Sequence, residues 1–241
     1  MRVFNFHNQG QRPYQEDSYH IDADKNLYII CDGVGGSRAG STASQESINF
    51  IVSAFEKNNY QIDIKLLEKI ILDAQEHLIQ LSEADQDLKG MGTTLILFYF
   101  TNGIGYVAHL GDSRLYHIPK NDSDFWVTKD HSFVHELFDE GILKTELSMR
   151  THPFKNRITK ALSTSTKLEI GDPSIKVIDH IKSGDFFLLA SDGALESHTN
   201  EEIVSFLRDP QENYNTKWDA YEKICNDNSH DNNTAIGILV T

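Results

Sequence analysis

Carboxylates placed beside apolar strands are the residues of this sequence best suited to chemistry. The stretch LYIICDGVGG, residues 27–36, carries a buried-strand pattern that leads into Asp32, and FFLLASDGAL, residues 186–195, repeats the arrangement with Asp192. Further acids flank other apolar runs or the opening strands: Glu16, Asp17, Asp112 and Asp231. Strand ends are positions from which side chains of different strands can meet, so these acids are candidates for one site.

The chemistry that such a group of acids supports is cation binding. A single Asp-Gly after a strand is most simply a turn, because Gly adopts positive φ without steric cost and Asp bonds to its own backbone. Several carboxylates that converge in space repel one another unless a cation lies between them. Mg²⁺ and Mn²⁺ take oxygen ligands, and Mg²⁺ keeps several waters beside one or two carboxylates. The pattern therefore predicts an acidic, carboxylate-only metal site.

The elements that must position these acids are strands at both ends of the chain with helix pairs inserted between them. Strands are predicted at 2–6, the second half of 14–21, 27–31, 95–100, 104–110, 114–118, 125–127, 175–178, 185–191 and 234–241. Helices are predicted at about 41–57, 63–84, 201–208 and 215–226, with Pro210 between the last two. The strands from 95 to 127 are predicted to form an antiparallel meander with a hairpin turn at Asn102-Gly103. Antiparallel sheets packed together with helices outside give an α+β layered fold.

The composition indicates a folded domain with an acidic surface. The 241 residues, of which 39% are hydrophobic, can form a sizeable core. The sequence has no apolar run near 18 residues and no apolar signal segment at its start, so neither a membrane span nor secretion is predicted. Two cysteines, Cys31 and Cys225, give no disulfide framework, which favours a reducing, cytoplasmic setting. The net charge of −14 repels phosphate backbones and disfavours nucleic acid as a partner.

The acids belong to a series of short motifs that follow one another along the chain. In order they are Gly10-x-Arg12-x-x-Gln15-Glu16-Asp17, Asp32-Gly33-x-Gly35-Gly36, Gly92-Thr93-Thr94, Gly111-Asp112-Ser113-Arg114, Asp130-His131-Ser132, Asn156-x-Ile158-Thr159-x-Ala161-Leu162, Ser191-Asp192-Gly193 and Asp231-Asn232. Together they resemble the metal-dependent protein phosphatases of the PPM, or type 2C, family in its compact bacterial form, over essentially the whole length. The resemblance implies one catalytic domain, 1–241. Its fold would be a four-layer α-β-β-α sandwich of two antiparallel sheets flanked by helix pairs.

The same resemblance implies the reaction and the metal ligands. The reaction would be hydrolysis of phosphoserine and phosphothreonine on proteins, with two Mn²⁺ or Mg²⁺ ions and a third, weaker site. Asp32 would bridge two metals, the Gly33 carbonyl would help to hold one of them, and Asp192 and Asp231 the other. Asp112, with Asp192, matches the residues that hold a third metal in bacterial members.

The remaining site residues would support the metals or bind phosphate. Glu16 and Asp17 would act partly through metal-bound waters, Asp17 as a metal ligand and Glu16, like Asn232, behind the ligands. Arg12 matches the phosphate-binding arginine, and a bidentate guanidinium suits that task. A hydroxide that bridges two metals about 3.5–4 Å apart would supply the nucleophile at neutral pH. The sequence has no Cys-x5-Arg signature for a covalent thiol route.

Three features mark this chain within the resemblance. Val34 occupies a position where some members carry a histidine proposed as general acid, so a metal-bound water or another group must protonate the leaving alkoxide. Loose candidates for that group are His131, His152 and His198. Gln15 stands where Asn or Met is more usual, with little expected effect. The segment of about 133–163 resembles the bacterial flap subdomain, and its thin apolar stripe predicts that it moves and influences substrate choice.

Other functions remain open at this stage. A catalytically weak or narrow-specificity binding module on the same fold is one alternative, although its usual mark, loss of metal ligands, is absent here. A phosphatase dedicated to one regulatory protein, such as an anti-sigma-factor antagonist, is another. A metal-dependent nuclease is disfavoured by the charge. The expected partners are phosphorylated proteins and a cognate Ser/Thr kinase, and the chain is expected to be a monomer.

Overall fold

Two antiparallel sheets form the centre of the structure. The computed structural model describes residues 1–34, 36, 38–121, 124–165, 172–209 and 213–241. The strands are β1 (Arg2–Asn8), β2 (Asp17–Asp22), β3 (Leu27–Val34), β4 (Gly92–Thr93), β5 (Leu95–Thr101), β6 (Ile104–Leu110), β7 (Arg114–Ile118), β8 (Trp126–Val127), β9 (Leu162–Ser163), β10 (Ser174–Ile178), β11 (Phe186–Ala190) and β12 (Asn233–Leu239). One sheet has the order β1-β12-β11-β7-β8, and the other has the order β10-β6-β5-β3-β4-β9 with β2 paired to β3.

Helices pack on the outer face of each sheet, and two short helices lie within residues 133–163. Their bounds are α1 (Arg38–Lys57), α2 (Ile64–Ala84), α3 (Phe133–Asp139), α4 (Glu146–Arg150), α5 (Asp192–Leu195), α6 (Asn200–Arg208) and α7 (Tyr214–Asn228), with one short 3-10 turn at Gln86–Leu88. Most predicted elements are present with ends that differ by a few residues, and Pro210 lies outside the described residues. Among the described helices, none has the length and apolar character needed to cross a membrane.

The side-chain alternation of β3 shows how the layers are stacked. Leu27, Ile29 and Cys31 pack into a buried cluster with α1 and α2. Tyr28 and Ile30 point the other way, into a cluster shared with the second sheet. The five-stranded sheet forms a third cluster with α6 and α7 on its outer face. Three cores between four layers confirm the predicted α-β-β-α sandwich.

The predicted meander is wrong because the chain changes sheet after β6. β5 and β6 do form a hairpin, and Asn102 and Gly103 have the positive φ values, 52° and 79°, that its two-residue turn requires. β7, however, pairs with β11 in the other sheet. The crossing begins at Gly111, whose φ of 102° suits glycine and whose added Cβ would lie 2.6 Å from Thr94 Cγ2. The sequence patterns of β6 and β7 each predict a buried strand, but they do not show whether the two strands belong to the same sheet.

Residues 133–163 contain two short helices, α3 and α4, joined by irregular backbone, and end in strand β9. Backbone hydrogen bonds close the base of this segment, with Phe133 N donating to Arg157 O at 2.9 Å and Thr159 N to His131 O at 2.8 Å. Several large apolar side chains on it are exposed: Phe138, Ile142, Leu147 and Phe154. The name flap is used below for residues 133–163.

Candidate active site

The fold brings the acids of distant motifs to one end of the two sheets. Asp17 begins β2 and faces Asp32 across the β2–β3 ladder. Asp192 begins α5 directly after β11, and Asp231 precedes β12, the strand paired with β11. The charges of Asp17, Asp192, Asp112 and Asp231 all act on the Asp32 carboxyl. The site is therefore assembled by strand pairing, as the sequence predicts.

Burial and mutual repulsion raise the pKa values of these acids. Desolvation is the largest cause in each case, and the charges of neighbouring acids add to it. The pKa of Asp17 is raised to about 7 and that of Asp192 to about 6. The pKa values of Asp32 and Asp112 are raised well above the usual range for aspartate. Several acids crowded in this way favour either protons or cations between them.

The neighbouring arginine, Arg114, forms its ion pair with Asp130 and not with Asp112. The pair is bidentate, with Nε–Oδ1 and Nη2–Oδ2 distances of 2.7 and 2.6 Å, and Arg114 also donates to Asn200 Oδ1 at 3.0 Å. The simplest structural explanation of Asp112, a turn acid paired with Arg114, therefore does not apply. The strongest repulsion on Asp112 comes from Asp192, the residue with which it is predicted to share a metal.

Three buried carboxylate oxygens at the site lack a hydrogen-bond donor within the described part of the chain. They are Glu16 Oε1, Asp17 Oδ1 and Asp192 Oδ1. A buried acceptor without a donor is costly, and most such atoms in folded proteins have a partner. Oxygen atoms that are buried, anionic and unpartnered are the donor set that Mg²⁺ or Mn²⁺ takes. The residues present therefore fit divalent cations.

The acidic side chains of the described residues do not surround one common point. Among the residues that the structure describes, no three acidic, histidine or cysteine side chains form a ready metal-ligand group. One reason is that Asp231 is engaged by Arg12, with Nε–Oδ1 and Nη2–Oδ2 distances of 2.8 and 2.5 Å. Cation binding through Asp231 requires this carboxylate to exchange partners. The Arg12 side chain is 52% exposed and is free on its solvent side to meet an anion.

Asn232 fixes the loop that carries Arg12 and Glu16. Its Nδ2 donates to the carbonyls of Gln9 and Tyr14, at 2.8 and 2.9 Å. Its Oδ1 accepts a hydrogen bond from Glu16 N at 2.8 Å. One buried amide thus holds three points of the loop, which agrees with the supporting position predicted for it.

Hydroxyl side chains that the sequence analysis did not assign hold two of the acids. Ser191 and Thr234 both donate to Asp17 Oδ2, at 2.9 and 2.6 Å, and among the described residues no donor reaches Oδ1 of that carboxylate. Thr94 Oγ1 accepts from Asp32 N at 3.1 Å, and Thr93 Oγ1 donates to Asp32 O at 2.9 Å. Ser191, Thr93 and Thr94 lie inside recognisable motifs, but Thr234 carries no such signal.

Glycines allow α1 to approach the strand that carries Asp32. A Cβ on Gly33 would lie 2.3 Å from Gly40 O, and one on Gly40 would lie 2.2 Å from Glu16 Oε1. Gly33 is not among the residues with positive φ, so the glycine is required here by lack of space rather than by an unusual backbone angle. Glycine at position 33 is therefore explained by close packing against α1.

The candidate histidines occupy different surroundings. His131 precedes α3 and stacks on His109, with ring centroids 4.5 Å apart and planes within 4°. Its Nδ1 accepts from Gly111 N at 3.2 Å and its Nε2 bonds to Ser174 Oγ at 2.9 Å, so both ring nitrogens have structural partners. His198 lines the same cavity as Asp192 and is the candidate better placed to act there.

A cavity of about 530 Å³ extends from the acids to the flap. Its catalytic end is lined by Arg12, Asp112, Asp192 and Asp231. The flap contributes Val134, His135, Phe138, Glu146, Met149, Arg150, Lys155 and Asn156. Any molecule that reaches the acids through this cavity passes the flap.

Comparison with known proteins agrees with this architecture. The family model for protein phosphatase 2C matches residues 4–234. A serine/threonine phosphatase Stp of Listeria innocua is 30% identical over 204 residues, which cover 82% of this chain and 79% of that protein. The crystal structure of the serine/threonine phosphatase Stp1 from Staphylococcus aureus superposes with a TM-score of 0.86 at 29% identity, covering 99% of this chain and 94% of that one. The catalytic domain of PstP in complex with two manganese ions has a TM-score of 0.79 at 27% identity and covers 100% and 98% of the two chains. The chain therefore belongs to the protein phosphatase 2C family.

Proposed function

We propose that this protein serine/threonine phosphatase hydrolyses phosphoserine and phosphothreonine at the acidic cluster with the help of Mn²⁺ or Mg²⁺. Its family membership carries the phosphatase activity, and the two manganese ions of PstP support metal dependence. The single observation that carries the assignment to this site is the set of buried oxygens on Glu16, Asp17 and Asp192 that have no hydrogen-bond donor in the part of the chain that the structure describes.

The cluster offers ligands for two cations and for a third, weaker one. Asp32 would lie between two of them, with the Gly33 carbonyl on one side and Asp192 and Asp231 on the other. Asp112, with Asp192, would hold the third. The raised pKa values of the aspartates support these assignments, because a cation relieves the same repulsion that a proton relieves. When bound, the cations would neutralise charge on the phosphoryl group and supply an activated water as the nucleophile.

The residues around the cluster would bind and orient the phosphate. Arg12 would place its two-pronged guanidinium on the phosphoryl oxygens, in place of its present partner Asp231. Asn232 would keep the Arg12 loop in register, through its bonds to the Gln9 and Tyr14 carbonyls. The protein itself would thus supply positioning and positive charge, which are the main requirements of phosphoryl transfer.

The physiological partners are proposed on chemical grounds. Phosphorylated proteins are the substrates that a phosphatase of this family acts on, and a Ser/Thr kinase must place the phosphate on the same residues. The net charge of −14 disfavours nucleic acid as a partner. We propose that the chain acts as a monomer in the cytoplasm.

Release of phosphate from a phosphothreonine peptide tests this function. Activity should require Mn²⁺ or Mg²⁺, disappear in EDTA, and fall by about 10²-fold or more in Asp192→Ala. The matched control is Asp24→Ala, since Asp24 is an exposed acid of the β2–β3 turn and should be dispensable. Activity that persists in EDTA would contradict the metal assignment, and equal losses in both variants would contradict the site.

A further inference from the structure

The cavity beside the acidic cluster has an apolar wall that phosphate chemistry does not use. Val134 and Phe138 lie four residues apart on α3 and so share one face of that helix. Met149 of α4 and Leu195 of α5 line the same cavity. Val134 and Leu195 are buried, whereas the Phe138 side chain is 40% exposed. The apolar wall therefore consists of buried side chains and one partly exposed aromatic ring.

Specific hydrogen bonds hold the two sides of this cavity together. Arg150 on α4 donates from Nη1 to His198 O at 2.9 Å and from Nη2 to Glu196 O at 3.3 Å. These carbonyls belong to the segment that follows Asp192 and α5. The Arg150 guanidinium thus links the flap to the segment that follows Asp192. These hydrogen bonds fix the position of the apolar wall.

We propose that this cavity is a substrate subsite that binds an apolar side chain of the phosphoprotein, next in sequence to the phosphorylated residue. The proposal rests on the proposed phosphatase function and specifies its substrate class. Arg12 and Asp192 line the same cavity as Phe138, so a peptide whose phosphate reaches the acids places its neighbouring residue beside the ring. The volume of about 530 Å³ lies in the usual range of ligand sites and exceeds what a phosphoryl group occupies.

The charges around the cavity favour an apolar occupant over a charged one. Arg114 is paired with Asp130, and Arg150 is held by backbone carbonyls. Glu146 lies 3.7 Å from Arg150, and Glu196, which also lines the cavity, accepts hydrogen bonds from Ser229 Oγ and His230 N. Lys155 and the Phe138 ring are exposed parts of the lining, and covering the apolar surface of the ring is favourable.

The test compares phosphothreonine peptides that carry leucine or serine at the position directly before or directly after the phosphorylated residue. With Mn²⁺, leucine should raise kcat/KM about tenfold over serine at one of these positions, as expected from burial of one aliphatic side chain. Phe138→Ser should abolish that preference, and Phe138→Leu should retain it. Ile142→Ser is the matched control, because Ile142 is an exposed flap residue that does not line the cavity.

A second substrate separates this proposal from the function on which it rests. p-Nitrophenyl phosphate lacks flanking residues, so Phe138→Ser should hydrolyse it like the wild type. Normal hydrolysis of this ester with no leucine preference at any position would overturn the subsite alone. If the wild type hydrolyses neither this ester nor any of the phosphopeptides, the proposed function fails. The anisotropy of fluorescein-labelled peptides then decides on the subsite, and equal affinity for leucine and serine peptides would overturn it. A preference lost equally in Ile142→Ser would also overturn it.

Discussion

Arg12 and Asp231 hold each other in a two-bond ion pair, so the proposed phosphate-binding cation neutralises a proposed metal ligand. The guanidinium and the carboxylate are 2.5 Å apart at their closest, and their side chains are 52% and 30% exposed. A cation held by Asp231 and a phosphoryl group held by both prongs of the Arg12 guanidinium each require this pair to open. The two events are therefore expected to be coupled through these residues.

Replacing Arg12 with alanine should move metal affinity and catalysis in opposite directions. Loss of the guanidinium frees Asp231, so Mn²⁺ should bind up to about fivefold more tightly, as the usual strength of a partly exposed ion pair allows. Hydrolysis of a phosphothreonine peptide should fall by about 10²-fold, because charge on the phosphoryl oxygens loses a donor. Calorimetric titration with Mn²⁺ and steady-state kinetics measure the two effects.

Arg12→Lys is the control for this experiment. Lysine keeps the positive charge but cannot make two parallel hydrogen bonds, so both effects should be intermediate. Weaker Mn²⁺ binding in Arg12→Ala would show that the pair supports the metal site instead of competing with it.

Asp17→Asn should change how the stability of the metal-free protein depends on pH. The folded pKa of Asp17 is about 7, and an unfolded aspartate titrates near 3.9, because burial penalises the charged form. Between these values the folded state holds a proton that the unfolded state has lost, so stability falls as pH rises from about 4 to 7. The asparagine variant lacks this loss.

Calorimetry in EDTA provides the measurement. The Tm of Asp17→Asn minus that of the wild type should increase between pH 5 and pH 8, whatever its sign at pH 5. Added Mn²⁺ should stabilise the wild type more than the variant at pH 8, since the ion replaces the proton. A Tm difference that stays constant with pH would show that Asp17 titrates normally in the folded chain.

Local pattern predicted most of the strands because each follows from a single stretch of sequence. The continuous apolar run from Leu27 to Cys31 predicts a strand buried on both faces, and Asp32 follows that run whatever the partner strand is. The hypothesis that Asp32 and Asp192 share one site rested on their positions after two apolar runs and on the family resemblance, because spacing along the chain carries no distance in space.

The unpredicted contacts are those that depend on which strands become neighbours. Thr234 donates to Asp17 across 217 positions of sequence, and a threonine in a strand is ordinarily explained by β propensity. The pairing of β7 with the other sheet could not be predicted either, because a strand is buried to a similar degree in each of the two sheets. The Arg12–Asp231 pair joins two residues that the motifs had assigned to phosphate and to metal, not to each other.

His131 should make the protein sensitive to acid. Burial and the stacked His109 ring lower the pKa of His131 to about 4, whereas an unfolded histidine titrates near 6.5. Between these values the unfolded state binds a proton that the folded state does not, so stability falls as pH drops from about 6.5 to 4. Asparagine at this position keeps an acceptor for Gly111 N–H but does not titrate.

The comparison of His131→Asn with the wild type isolates this effect. Urea midpoints of the two proteins should converge as pH falls from 7 to 4, because only the wild type loses the histidine contribution. The loss of stacking gives a difference that does not depend on pH. Parallel midpoint curves would contradict the lowered pKa of His131.

Gly33→Ala and Gly40→Ala should have different consequences although both add a methyl group where α1 approaches β3. The new Cβ of Gly33→Ala meets backbone, 2.3 Å from Gly40 O, so the strand or α1 must shift, at a cost of about 1–3 kcal/mol of stability. The new Cβ of Gly40→Ala meets the end of the Glu16 side chain, which can move away. Alanine also favours a helix over glycine by up to about 1 kcal/mol, which offsets the crowding.

Gly40→Ala should therefore keep the Tm of the wild type but lose Mn²⁺ affinity and activity, because the Glu16 carboxylate is pushed out of the acidic cluster. Gly33→Ala should lower Tm and activity together. Thermal melts in EDTA, Mn²⁺ titrations and peptide hydrolysis distinguish the two patterns. If Gly40→Ala retained full Mn²⁺ affinity and full activity, Glu16 would have no part in the site, and its donor-free oxygen would need another explanation.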